Sequence, residues 1–212
     1  MADEERPGAE LWVPNSGGLT ALRDAAHDCR GCELYKDATQ VVFSEGPARA
    51  RIVLVGEQPG DREDLEGKPF VGPAGRLLAA AIDAADIPRG DLYVTNAVKH
   101  FRFERRGKRR IHEKPGIAHI DACRPWLAAE LGVLRAGVVV CLGATAARSV
   151  LGREAKIGAE RGRVLDPGTI GSAPVVITTH PSALLRIRDE VDRTAAFDAL
   201  VADLRVAASV VE

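Results

Sequence analysis

Residues 52–78, IVLVGEQPGDREDLEGKPFVGPAGRLL, decide the fold. The apolar run Ile52, Val53, Leu54, Val55 reads as a strand buried on both faces. At Gly56 it breaks into a Gly/Pro-rich loop that carries acids, one amide and one aromatic, and the chain then enters a helix. Open α/β sheets build ligand sites in this way, beyond the carboxyl end of a strand. Phosphate is excluded as the ligand. The stretch has no G-x-G-x-x-G and no Walker lysine, and Glu57, Asp61, Glu63 and Asp64 would repel an anion. The loop suits a neutral or cationic group.

Outward from this stretch, strand signals run over Gln40–Phe43, Arg51–Val55, Leu92–Asn96, Val138–Leu142, Gly162–Leu165 and Val175–Thr179. Helical spacing or composition covers Leu19–Asp28, Ala74–Ala85, Ile117–Leu134, Thr145–Leu151 and Asp189–Val206. Strands alternating with helices imply right-handed parallel crossovers, so the fold class is α/β. With parallel strands, Gly56 and Glu57, Asn96, Gly143 and His180 all fall at carboxyl ends and converge on one crevice. Residues 1–16 carry Pro7, Gly8 and Pro14 and few periodic apolar positions, which predicts a loose N-terminal arm before one domain over 17–212.

Composition bounds the function. A chain of 212 residues suits one α/β domain. Aromatics make up only 4%, so the core is aliphatic and Phe70, inside the crevice loop, is available for a special task. Net charge is −1, yet Lys99 to Lys114 holds eight Lys/Arg against Glu104 and Glu113. This segment is too long and too basic for a minimal connection and reads as a functional loop. Met1 to Val13 is acidic without an apolar h-region, and no apolar run reaches the length of a membrane span, so a cytoplasmic protein is expected.

Four cysteines form one C-x-x-C, Cys29 and Cys32, and two singles, Cys123 and Cys141, eighteen positions apart. Disulfides are disfavoured in a cytosolic chain. Zinc and an iron-sulfur cluster compete on even terms from spacing alone. Four buried thiols are the ordinary alternative, and Cys141 in the run VVVCLG suits plain core packing.

The loop at 56–78 resembles the first motif of the family-four, iron-sulfur uracil-DNA glycosylases, G-E-A-P-G followed by G-x-P-F-V-G-x-A-G-x-L-L. Gln58 replaces a small residue there, and Gly-Glu-Gln-Pro-Gly is similar to the UdgX subgroup. The string Lys108, Arg109, Arg110, Ile111, His112 resembles that subgroup's KRRIH signature, where family-four enzymes run into a short Pro-rich segment. The similarity covers roughly Cys29 to Arg188.

The resemblance implies a single three-layer domain with a central parallel four-stranded sheet. It also implies a structural 4Fe-4S cluster on Cys29, Cys32, Cys123 and Cys141, and activity on uracil in single-stranded or duplex DNA by a monomer. Excision needs room for a flipped base, stabilisation of departing uracil, and handling of an oxocarbenium-like sugar. Phe70 is expected to stack on the base, Asn96 to read its Watson-Crick edge and His180, in Thr-His-Pro-Ser, to support the leaving oxygen. Glu57 offsets the sugar's charge or acts as base. Gly56, Gln58, Gly60, Asp61, Arg110 and Ser182 complete the expected substrate site, and Arg105, Arg106, Lys108 and Arg109 the backbone contacts. In UdgX the histidine matching His112 adds to the sugar and leaves a covalent adduct. A turnover enzyme in which Glu57 activates water, and a non-catalytic nucleic-acid-binding module, are the two rival readings.

Overall fold

The structure, a computed structural model, describes residues 6–211. Its strands are β1 Ser44–Glu45, β2 Ile52–Gly56, β3 Leu92–Asn96, β4 Phe103–Arg106, β5 Arg109–His112, β6 Val138–Leu142, β7 Val164–Leu165 and β8 Val175–Thr178. The helices are α1 Gly18–Ala26, α2 Asp61–Glu66, α3 Pro73–Ala84, α4 Ile117–Val133, α5 Ala144–Leu151, α6 Ile157–Glu160, α7 Pro181–Leu184 and α8 Glu190–Ser209. The main sheet has order β1-β3-β2-β6-β8-β7, and β4 and β5 form a separate hairpin.

The four parallel strands the sequence predicts lie side by side as β3, β2, β6 and β8. The sheet is nonetheless mixed and six-stranded. Two-residue strands β1 and β7 close its edges antiparallel to β3 and β8, and such short edges leave little unpaired backbone to recruit another chain. Residues 40–43 are irregular, with pairing delayed to Ser44, and Gly162 turns at φ 68° before β7.

Side chains alternate across the sheet. Val53, Val55, Val139 and Cys141 pack with Leu127 of α4 and with Ala146 and Val150 of α5 on one face. Ile52, Leu54, Val138 and Val140 pack with Leu78 and Ile82 of α3 and with Leu200 and Leu204 of α8 on the other. These are the three layers. A third cluster gathers Ala9, Leu22, Cys29, Cys32, Cys123 and Trp126 beyond the β1/β3 edge.

The N-terminal arm is tied down from Arg6 onward, contrary to the loose arm expected over 1–16; residues 1–5 lie outside the described residues. Gly8 N–H donates to Gly31 O at 3.0 Å, Ala9 N–H to Ala122 O at 2.8 Å, and Arg6 pairs with Glu33. Gly31 matters here because a Cβ would sit 2.9 Å from Ala9 Cα and N, so its bare backbone admits the arm. Among the described residues no helix is long and apolar enough to cross a membrane.

Candidate active site

Gly56 ends β2 at a point where two elements press on it. A Cβ there would lie 2.3 Å from Asn96 Oδ1 and 2.6 Å from Phe70 Cζ. Phe70 is held in the left-handed region at φ 56°, and α3 fits beneath it only because Gly75 has no side chain: a Cβ at Gly75 would fall 1.7 Å from Phe70 O. This uncommon conformation of an aromatic residue sets its ring nearly parallel to His180, at 29° and 6.1 Å between centroids. Asn96, at the end of β3, is buried, and among the described residues its amide has no hydrogen-bond partner. Phe70, Asn96 and His180 line a crevice of about 310 Å³ together with Glu57, His112 and Ser182.

The acid and the two histidines are arranged around Glu57. Its Oε2 accepts from the Thr145 hydroxyl at 2.5 Å, and its Oε1 lies 3.4 Å from His112 Nε2. Burial opposes ionisation of Glu57, but hydrogen bonds from His112 and Thr145 and the fields of His112 and His180 outweigh it, so its pKa falls below the usual carboxylate value. His180 starts α7. Its Nδ1 accepts from Ser182 N–H at 3.2 Å and lies 2.9 Å from Ser182 Oγ. A backbone N–H only donates, so the ring's proton in the neutral form sits on Nε2. Burial pushes the pKa of His180 down to about 4, against the attraction of Glu57. The ring is therefore a neutral Nε2–H donor at physiological pH.

The basic segment folds as a hairpin. Arg106 faces Arg109 across a two-residue turn in which Gly107 has φ 62° and Lys108 is not left-handed, the pattern of a type II′ turn. That Arg-Gly-Lys-Arg signal was present in the sequence. The base of the hairpin is pinned twice. Gln58 Oε1 accepts from Arg102 N–H, and its Nε2 donates to Arg102 O and Glu113 O, each at 3.1 Å. Gln58, expected to contact substrate, lines the crevice, and its amide is engaged by the chain that leads into and out of the hairpin carrying His112.

Arg110 makes the second anchor. Its Nε reaches Asp61 Oδ1 at 2.6 Å and its Nη1 reaches Asp64 Oδ2 at 2.5 Å, while the guanidinium lies over the rings of Phe101 and Phe103. Glu63 fixes the same loop by accepting from Gly60 and Gly72 N–H. His112 is left 42% exposed at the crevice mouth. Arg105, Arg106, Lys108 and Arg109 are exposed at the tip, with Arg106 paired to Glu104. Lys99, expected in this basic loop, is instead buried and paired with Glu130, which also accepts from Tyr93 and Thr95. Thr145 was not singled out from sequence, although its place two residues beyond Gly143, at the end of β6, was a usable signal.

The cysteines are free and buried. Cys29 Sγ accepts from Trp126 Nε1–H at 3.2 Å and Gly31 N–H at 3.5 Å, and Cys123 Sγ accepts from Lys99 N–H at 3.3 Å. N–H groups aimed at sulfur suit ligating thiolates better than plain core thiols. Burial raises the pKa of Cys32 to about 11, and Cys29 adds to this; burial likewise raises Cys123, which feels Cys32 and Cys29. The expected fourth ligand, Cys141, does not join them. It packs under α5 with Val53 and Val55, and burial alone raises its pKa. Among the described residues no three His, Cys, Asp or Glu side chains close around one point as a mononuclear metal site requires. Three cysteines thus fit a multinuclear group and one does not.

The uracil DNA glycosylase superfamily profile matches residues 43–205. The Type-4 uracil-DNA glycosylase of Thermotoga maritima is 38% identical over 171 residues, covering 80% of this chain and 84% of that protein. Those of Pyrobaculum aerophilum and Archaeoglobus fulgidus are 34% and 35% identical, covering 79% and 76% of this chain and 85% and 82% of theirs. With the matched span running from just before β1 into α8, and with Gly56, Phe70, Asn96 and His180 inside it, the chain belongs to the uracil DNA glycosylase superfamily.

Proposed function

We propose that the protein excises uracil from DNA and retains the abasic sugar on His112. The observation that carries this reading is the 3.4 Å approach of His112 Nε2 to Glu57 Oε1, on a hairpin pinned to the crevice by Gln58 and Arg110. Phe70 stacks on the flipped base, and the unpartnered Asn96 amide, which both donates and accepts, reads its edge. The C1′–N1 bond breaks with its electron pair leaving on uracil, whose developing anion is met by the neutral His180 Nε2–H. The ionised Glu57 stabilises the oxocarbenium ion. It then takes the Nε2 proton of His112 as that nitrogen forms a bond to C1′, leaving a neutral glycosyl-imidazole and a protonated carboxyl. The 3.4 Å approach is longer than an ideal hydrogen bond, as such pairs often are before substrate arrives.

Cys29, Cys32 and Cys123 would hold an iron-sulfur cluster of the 4Fe-4S type, which when bound joins the N-terminal segment to α4. The tip residues Arg105, Arg106, Lys108 and Arg109 supply phosphate contacts. The second reading, turnover with Glu57-activated water, is favoured by the ionised state of Glu57 and by the names of the relatives. A stoichiometry experiment separates the two: under excess uracil-containing DNA, free uracil should stop at one per enzyme, and His112→Ser should continue past it. Wild type that releases many uracils per enzyme returns the protein to the turnover reading.

A further inference from the structure

Glu57 is fixed at both of its ends. Its carbonyl accepts from Val98 N–H at 3.0 Å, beside Ala97 N–H donating to Gly56 O at 2.9 Å, so its backbone is stitched to the chain that leaves β3. Apart from the approach of His112, its carboxylate is held among the described residues by Thr145 alone. Thr145 is buried in the first turn of α5, which starts where Gly143, at φ 87°, turns the chain out of β6. Its hydroxyl donates to Glu57 Oε2 at 2.5 Å and makes no other hydrogen bond among the described residues. A β-branched side chain on a helix has few rotamers, so this donor is a fixed one.

The two carboxylate oxygens are therefore not equivalent. Oε2 is tied to α5, and Oε1 faces His112. A carboxylate left to turn about its last bond, which is a broad torsion, would exchange the two and offer acceptor sites to water as readily as to an imidazole. We propose that Thr145 is a positioning residue for Glu57, whose hydroxyl reserves Oε1 for His112 and so sends the sugar to the imidazole rather than to water. This rests on the reading of His112 above and adds what sets its outcome. Thr145 also helps to keep the acid ionised. Burial of Glu57 favours the neutral carboxyl, and the Thr145 hydroxyl acts against it together with His112 from β5 and His180 at the start of α7. Asp61, Arg62 and Glu63 of α2 and Arg186 beyond α7 complete the charged lining of the crevice.

The test compares full-length wild type, Thr145→Val, which keeps the branched shape without the donor, and Thr145→Ser, which keeps the donor. Each is mixed in excess with a uracil-containing oligonucleotide between about pH 5 and 7.5, with free uracil and the denaturation-resistant adduct both counted, and DNA affinity and thermal unfolding measured in parallel. Wild type and Thr145→Ser should form one adduct for each uracil released. In Thr145→Val the ratio should fall well below one. Its uracil release should also slow by about tenfold more than that of wild type on going from the upper to the lower pH, the scale of one lost hydrogen bond to a charged group. The proposal is overturned by Thr145→Val that keeps the wild-type ratio of adduct to uracil, by a pH dependence that does not move, or by Thr145→Ser as impaired as Thr145→Val, which would make the role one of shape. Wild type that releases uracil and forms no adduct sinks the reading of His112 instead, and the pH dependence of uracil release still decides whether Thr145 keeps Glu57 ionised.

Discussion

Gly56→Ala tests the base-reading geometry. The added Cβ would sit 2.3 Å from Asn96 Oδ1 and 2.6 and 2.9 Å from two Phe70 ring carbons, where real Cβ contacts do not fall below 3.0 Å. Asn96 or the strand must yield by about 0.7 Å, and Phe70 by a few tenths of an ångström. Phe70 has little freedom, since its carbonyl already lies against Gly75, so the Asn96 amide, proposed to read the base, takes most of the displacement. A misplacement near 1 Å costs on the order of 10²-fold in rate, or about 2.7 kcal/mol of transition-state stabilisation. Overpacking lowers stability by a further amount of about 1–3 kcal/mol. Single-turnover excision from a uracil-containing oligonucleotide, with thermal unfolding in parallel, reads both. Gly90→Ala is the control, because a Cβ there meets nothing within 4 Å. A Gly56→Ala enzyme that excises uracil within a few-fold of wild type would show that Asn96 and Phe70 do not read the base in this geometry.

Three further outcomes are expected. Glu130→Ala leaves Lys99 buried without its partner and should cost about 3–5 kcal/mol in urea denaturation. A change under about 1 kcal/mol would contradict a buried pair. Arg105→Ala and Arg109→Ala should each flatten the log–log salt dependence of duplex binding by about 0.9 for every phosphate the arginine neutralises, with uracil preference intact; an unchanged slope excludes the tip from the backbone. His180 has its pKa lowered to about 4 in the fold against 6.5 unfolded, so the unfolded chain binds the extra proton and stability falls as pH drops through that window. Between about pH 6.5 and 5, wild type should therefore be destabilised by about 1.5 kcal/mol more than His180→Asn; parallel stability curves would mean the ring is not held neutral.

How much the sequence disclosed depended on whether the signal was local. Ile52 to Val55 is apolar at every position because the strand is buried on both faces, so β2 and the sheet around it were legible. β1 and β7 span two residues each and carry no period to read. The crevice residues Glu57, Phe70, Asn96 and His180 were legible because strand ends place them on one side. Lys99 looked like part of a solvated basic run because its partner Glu130 lies 31 positions away, which no local pattern reveals. Gln58 was legible as a crevice residue but not as a hairpin anchor, for the same reason, since the backbone groups it holds lie 44 and 55 positions further on. Cys141 shows the reverse error. Its own apolar run pointed to core packing, and the spacing borrowed from the resemblance pointed away from it.

Whether His112 supplies the attacking nitrogen is decided by the adduct itself. Wild-type protein incubated with uracil-containing DNA, denatured, digested with protease and nuclease, and sequenced by tandem mass spectrometry should yield one modified peptide with a deoxyribose remnant on His112. An adduct on any other residue, or complete recovery of unmodified His112 peptide from protein that has released its uracil, would refute that role.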